Sequence, residues 1–178
     1  MSTLPLKFLL VLFFQFFMSQ SSNIEILPKV KEMVRDSCKQ TRNYNQCVDA
    51  LENDTSIRYD DQVSFTKRIL EVTMATANEL HRESNSWKQK SGLEEKMIQA
   101  LETCSSEYGE ALDGLKQAIQ AMDSKDYKTA YSYAGRAINA ADGCTQEFEE
   151  SQQKMPFAEN NEVLNQMATV AVDLISLF

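Results

Sequence analysis

The sequence predicts an all-α protein: an up-down-up-down four-helix bundle, preceded by a short helical hairpin and closed by two disulfides. Three observations predict it. Apolar residues recur at steps of three and four over long stretches, most regularly at Met97, Leu101, Cys104, Tyr108, Ala111, Leu115, Ala118 and Met122. Glycine and proline are scarce, five and three in 178 residues, so long helices run uninterrupted. The alternating Val, Ile and Thr runs that build strands are missing.

Residues 1–22 read as a secretory signal. Lys7 is the positive start, an apolar run extends from Phe8 to Met18 around Gln15, and Ser19-Gln20-Ser21-Ser22 is a small, polar exit. The run falls short of the roughly 20 apolar residues that a membrane span needs. The mature domain is then 23–178, with a hairpin over 23–52 and a bundle over 60–178.

In the hairpin, Ile24, Ile26, Leu27, Val30, Met33 and Val34 make one amphipathic helix over 24–39. Residues 41–45 are a turn, and a second helix resumes at Cys47. The hairpin is too small to stand alone and should pack through Val30, Val34 and Leu51. Asn53-Asp54-Thr55 is an N-glycosylation sequon between helices, where a glycan is tolerated.

The first long helix is expected over 60–82, with an apolar stripe of Val63, Ile69, Leu70, Val72, Thr73, Ala77 and Leu80. His81 would sit at its C-terminal end, where a cation complements the helix dipole. Residues 83–92 read as a polar connection in which Trp87 either covers the end of the bundle or anchors a contact.

The next two helices, 93–122 and 126–151, form the centre of the fold. Between them Asp123-Ser124-Lys125-Asp126 is a polar break. Tyr131, Ala134, Ile138, Ala141 and Phe148 keep the rhythm after it. Residue 124 is midway between Cys104 and Cys144, so antiparallel helices meeting there place both cysteines at one height and near the inner faces. Ala130, Ala134, Ala137, Ala140 and Ala141 make one side of the second helix small enough for close approach. Tyr127, Tyr131 and Tyr133 cluster at its start, as boundary packing with hydroxyls at the rim or as a recognition patch. After a connection over 152–160, broken by Pro156, the last helix is expected over 161–178. Leu164, Met167, Ala171, Leu174 and Phe178 form its docking face.

Four cysteines allow three pairings. The secretory context and the symmetry about residue 124 select Cys38–Cys47 with Cys104–Cys144. No metal site is expected, because no C-x-x-C pair exists and His81 is the only other soft ligand.

Net charge is −8, and loss of Lys7 with the leader makes it one unit more negative. Such a chain repels nucleic acid and anionic lipid and attracts basic partners. Nothing after the leader is apolar enough to span a bilayer, so the mature form has no membrane partner. Reactive constellations are missing: a single histidine leaves no Ser-His-Asp or Cys-His arrangement, and there is no Gly-rich phosphate loop and no H-E-x-x-H. Glu94-Glu95 and Glu149-Glu150 are adjacent on helices and point apart, while Glu102, Glu107 and Glu110 are the wet side of the central helix. The chain therefore reads as a non-enzyme without cofactor, a rigid scaffold suited to binding.

Several stretches resemble the plant invertase/pectin methylesterase inhibitor family over the whole mature chain. They are Cys38 to Cys47 with Leu51, then Ala100-Leu101-Glu102-Thr103-Cys104 with Tyr108, Ala111 and Leu115, and Cys144 with Phe148. The resemblance implies a four-helix bundle with an N-terminal hairpin and the same two bridges. It also implies a secreted protein of the apoplast and cell wall, or of the vacuole. Such a protein forms a 1:1 complex with a pectin methylesterase or an acid invertase and covers its substrate cleft.

Invertase inhibitors of the well-studied type carry Pro-Lys-Phe at the turn between the stapled helices, where this chain has Tyr127-Lys128-Thr129. These three residues are the expected target contacts, and only the lysine matches. Tyr44-Asn45-Gln46-Cys47 and Ser124-Lys125-Asp126-Tyr127 are similar to the pollen-allergen branch related to plane tree, whose members are named as invertase inhibitors. The expected target is pectin methylesterase, with acid invertase as the alternative. A non-inhibitory pollen or seed binding protein, a stable allergen, is the third reading.

Overall fold

The computed structural model describes residues 31–52 and 61–178. The expected leader over 1–22, the start of the first helix with Val30, and the sequon at Asn53 lie outside the described residues. Helix α1 covers 31–38 of the described chain. It is followed by α2 (Tyr44–Glu52), α3 (Gln62–Lys88), α4 (Glu95–Asp123), α5 (Tyr127–Glu150) and α6 (Ala158–Ile175). No strand occurs among the described residues.

Helices α3 to α6 form the bundle. α4 lies between α3 and α5, α6 closes the square against α5 and α3, and α2 rests on α3 and α6. The seam read on α4 is the core: Leu101, Cys104, Tyr108, Ala111, Leu115, Ala118 and Met122 are all buried, with Met97 half-buried at its start. The five alanines of α5 are buried as well. Their small size lets the backbones approach, and Gly114 of α4 faces Tyr133 so closely that a Cβ there would lie 2.9 Å from the Tyr133 carbonyl oxygen.

Two disulfides link this frame. Cys104–Cys144 joins α4 to α5 at a Cα separation of 4.7 Å, across 40 residues of chain. Cys38–Cys47 closes the hairpin at 5.6 Å. All four cysteines are fully buried.

Helix starts follow local chemistry. Asp61 caps α3: its Oδ1 accepts from Ser64 N at 2.8 Å while Ser64 Oγ accepts from Asp61 N at 3.2 Å, a reciprocal capping box. Asp126 caps α5 by accepting from Thr129 N at 3.1 Å. Lys125 takes a left-handed backbone (φ 58°), which lets Asp126 N reach back to Ala121 O at 2.9 Å and ends α4.

Four expectations are corrected. First, α3 does not stop near residue 82 but runs to Lys88, so the connection shrinks to 89–94. The polar stretch stays helical because Ser84 is buried and donates to His81 O, and Asn85 Nδ2 donates to the same carbonyl at 2.7 Å. His81 is consequently inside the helix rather than at its end, and Trp87 is a helical residue under the Lys90 ammonium. The inward stripe of α3 holds Phe65 and Thr66, fully buried, while Val63 and Val72 are only half-buried.

Second, α6 occupies 158–175 rather than 161–178. Its first turn sits beneath Phe157, a ring packed edge-on against Tyr108 at 6.2 Å and Phe148 at 6.0 Å. Leu164, Met167, Ala171 and Leu174 dock as expected, but Phe178 is 43% exposed, because the helix has ended before it. Third, Tyr131 points outward at 47% exposure instead of joining the α5 seam. Fourth, α2 starts at Tyr44, so the hairpin turn is confined to 39–43.

Candidate functional site

The described residues offer no reactive centre. No group of three or more His, Cys, Asp and Glu among them comes together to hold a metal ion. Every cysteine is bridged. His81 is half-buried with Asn85 Nδ2 3.3 Å from its Nε2. No described helix is long and apolar enough to cross a membrane. A polar groove runs along α3 beside His81, Arg82, Asn85 and Asn160, and no Phe, Tyr or Trp lines it.

What the fold does build is a surface at one end, where α5 begins, α6 ends and the hairpin turn docks. Tyr127 is half-buried and stacks on Phe178, centroids 4.5 Å apart and planes 17° from parallel. Lys128 is exposed. Thr129 is half-buried and committed to the helix start, because Asp126 takes hydrogen bonds from its side chain and its backbone. Those two bonds, side chain first, hold the Asp126 carboxyl below its usual pKa. Of the three expected contact residues, then, Lys128 is exposed, Tyr127 is half-buried in its stack with Phe178, and Thr129 is held at the helix start.

The hairpin turn enters beside them. Arg42 donates from its backbone N to Asp173 Oδ2 at 2.9 Å and from Nη2 to Asp173 Oδ1 at 2.7 Å, with Nε 3.1 Å from both oxygens. This fork-shaped pair ties residue 42 to α6. The bond to Asp173 raises the Arg42 pKa, and the neighbouring Tyr131 adds to it from α5. On the opposite flank a groove of about 460 Å³ separates the start of α3 from the α4–α5 turn, lined by Val63, Lys67, Met122, Lys125 and Tyr127 among others. Lys67 pairs with Asp123 across it.

Sequence patterning offered Tyr131 in the tyrosine cluster as one of two readings but missed Arg42 and Phe178 as parts of this surface. The usable signal was compositional: the tyrosines at the start of α5 and an aromatic residue three positions beyond the last helical one.

A bundle of four packed helices with two internal disulfides belongs to the class of disulfide-linked helical bundles. The chain belongs to the plant invertase/pectin methylesterase inhibitor family, whose model matches residues 32–174. Members of that family are inhibitors of enzymes, not enzymes themselves. A relative from Actinidia deliciosa named pectinesterase inhibitor is 29% identical over 148 residues, covering 83% of this chain and 78% of its own. Pectinesterase inhibitor 28 of Oryza sativa subsp. japonica is 25% identical over 164 residues, 86% and 72% of the two chains. Two crystal structures of pectin methylesterase inhibitors from Arabidopsis share the fold. One, a mutant form, has a TM-score of 0.70 at 20% identity, covering 79% of this chain and 93% of that one. The other has a TM-score of 0.62 at 19% identity, covering 81% and 94%.

Proposed function

We propose that residues 23–178 are a secreted inhibitor that forms a 1:1 complex with a plant pectin methylesterase and covers its substrate cleft. Residues 1–22 would be the removed leader, the product would reach the apoplast, and Asn53 would carry a glycan. The observation that carries this reading is family membership, with curated relatives from two plants both named for pectinesterase inhibition. The physical form supports it: helices held by two buried disulfides lose little freedom on docking. Tyr127 and Lys128 would contribute to the contact, with Thr129 holding the helix start beneath them. Titration of the mature protein against a panel of plant pectin methylesterases tests the reading. Stoichiometric loss of ester hydrolysis is expected; unchanged hydrolysis at excess inhibitor, at acid and neutral pH, would overturn it.

One observation favours a second target. Lys128 stands exposed at the turn between the stapled helices, where a cation can enter an acidic cleft. The same titration with acid invertase and sucrose decides between the two. Inhibition of neither enzyme would leave the third reading, a pollen or seed binding protein.

A further inference from the structure

We infer that the N-terminal hairpin is a redox-releasable element. A dithiol reduces Cys38–Cys47 while Cys104–Cys144 stays closed, and the Arg42–Asp173 pair is the latch that sets how readily this happens. The inference does not depend on which enzyme the protein binds.

The two bridges sit in different mechanical settings. Cys104–Cys144 joins two bundle helices, α4 and α5. Both its cysteines are fully buried, and Cys144 Sγ lies 3.1 Å from the buried Tyr108 hydroxyl. Asn161 of α6 accepts from that hydroxyl at 2.7 Å and donates to Ala141 O and Thr145 Oγ1 of α5. A reductant reaches these sulfurs only when α4, α5 and α6 separate, which is unfolding of the bundle.

Cys38–Cys47 begins and ends within the hairpin, at a sequence separation of 9. Its cysteines are equally buried, with Val34 and Leu51 beside them in the core, yet it ties no bundle helix. Lifting the hairpin from α3 and α6 bares this bridge and leaves the four bundle helices packed. A local opening of that kind lies below global unfolding in free energy.

The turn is where lifting is resisted by polar bonds. Arg42 forks onto Asp173 of α6, and its backbone N donates to the same carboxylate at 2.9 Å. Asn43 Nδ2 adds a longer bond to Gln166 O at 3.4 Å. The next residue back, Thr41, donates to Cys38 O from its backbone N at 3.0 Å and from Oγ1 at 2.8 Å. Movement of Arg42 is therefore passed straight to the bridge. The Arg42 side chain is 66% exposed, so water competes for it and the latch opens reversibly.

In the reaction, a thiolate of the dithiol attacks one hairpin sulfur, and the other leaves as a thiolate and takes a proton. The dithiol's second sulfur then displaces the mixed bond. The protein gains two electrons and two protons, and the dithiol becomes its own disulfide.

The test exposes the mature oxidised protein to dithiothreitol, quenches with iodoacetamide at intervals and maps the label by mass spectrometry. Cys38 and Cys47 should be labelled at least about tenfold sooner than Cys104 and Cys144, with the bundle still melting cooperatively. Asp173→Ala should speed labelling of the hairpin pair by about three- to tenfold and leave the other pair unchanged. Adding Arg42→Ala to Asp173→Ala should change that rate by less than about twofold, because both remove one link. Lys67→Ala, which breaks the pair with Asp123 instead, should leave both rates within about twofold of the parent. In the parent, hydrogen exchange should open α2 before α4 and α5. Labelling of all four cysteines together, or of Cys104 and Cys144 first, would overturn the proposal. So would an unchanged hairpin rate in Asp173→Ala, or equal protection of α2, α4 and α5 in the parent.

Discussion

The Tyr108 hydroxyl donates to Asn161 Oδ1 at 2.7 Å, deep in the bundle, and lies 3.1 Å from Cys144 Sγ. The Asn161 amide turns both its hydrogens to α5, at 2.9 Å from Ala141 O and 2.9 Å from Thr145 Oγ1. One polar cluster thus registers α4, α5 and α6 beside the disulfide. Burial, reinforced by the charge of Glu83, pushes the Tyr108 hydroxyl well above its usual pKa, so it stays a donor.

Tyr108→Phe leaves Asn161 Oδ1 buried without its donor, which costs about 1–3 kcal/mol. The pair Tyr108→Phe/Asn161→Leu should lose less than the sum of its single variants, because the second change removes the stranded acceptor. Urea unfolding of the oxidised proteins measures both; strict additivity would show that the hydrogen bond carries no coupling.

Loss of Cys104–Cys144 in Cys104→Ala/Cys144→Ala releases a loop with a sequence separation of 40 and should cost about 4 kcal/mol in the chain-entropy model. Loss of Cys38–Cys47, separation 9, should cost about 2.7 kcal/mol. The second loss should appear in hydrogen exchange as loosening of the hairpin alone. Among the described helices of the bundle, α2 packs mainly on α3 and α6, and more lightly than the bundle helices pack on one another.

Two glycines on facing helices should respond with opposite signs. Gly135→Ala meets nothing within 4 Å and should stabilise α5 by roughly 0.5–1 kcal/mol. Gly114→Ala would set a methyl 2.9 Å from the Tyr133 carbonyl oxygen and 3.0 Å from Arg136 Cδ, forcing α4 and α5 apart. Its melting temperature should fall despite the better helix propensity.

Two carboxyls give opposite pH signatures. Glu107, expected on the wet side of α4, is half-buried against Gly143 of α5. Burial, with Glu110 adding repulsion, raises its pKa, so the native state holds that proton longer than the unfolded chain. Stability from this group therefore falls as pH rises from the unfolded value toward the folded one. Glu107→Gln should melt higher than the parent at neutral pH and like it at low pH. Asp126 is depressed by Thr129, so its contribution is present above the unfolded pKa and lost as pH falls through the folded one. Asp126→Asn should melt lower at neutral pH and converge with the parent in acid. Thermal scans across pH 2–8 check both signs.

Much of the architecture was legible in the chain. The α4 seam, the alanine face of α5, the turn about residue 124 and the docking face of α6 from Leu164 to Leu174 follow from a step of three and four, which reports the face a helix turns inward. The end of α3 was not legible, because Ser84 and Asn85 are turn formers whose side chains here bond back to His81 O. The outward turn of Tyr131 was equally hidden, since a stripe edge is set by where neighbouring helices stop covering it.

By itself, then, the amino-acid order determined helix content, the covalent closure and kinship with an inhibitor family. Tertiary structure alone decided which distant groups meet: Arg42 with Asp173 across 131 residues, Tyr108 with Asn161 across 53, and Tyr127 with Phe178 across the end of the bundle. The reason is that periodicity constrains each helix about its own axis, whereas the height and angle at which helices cross, and hence every contact between them, come from packing the whole set together.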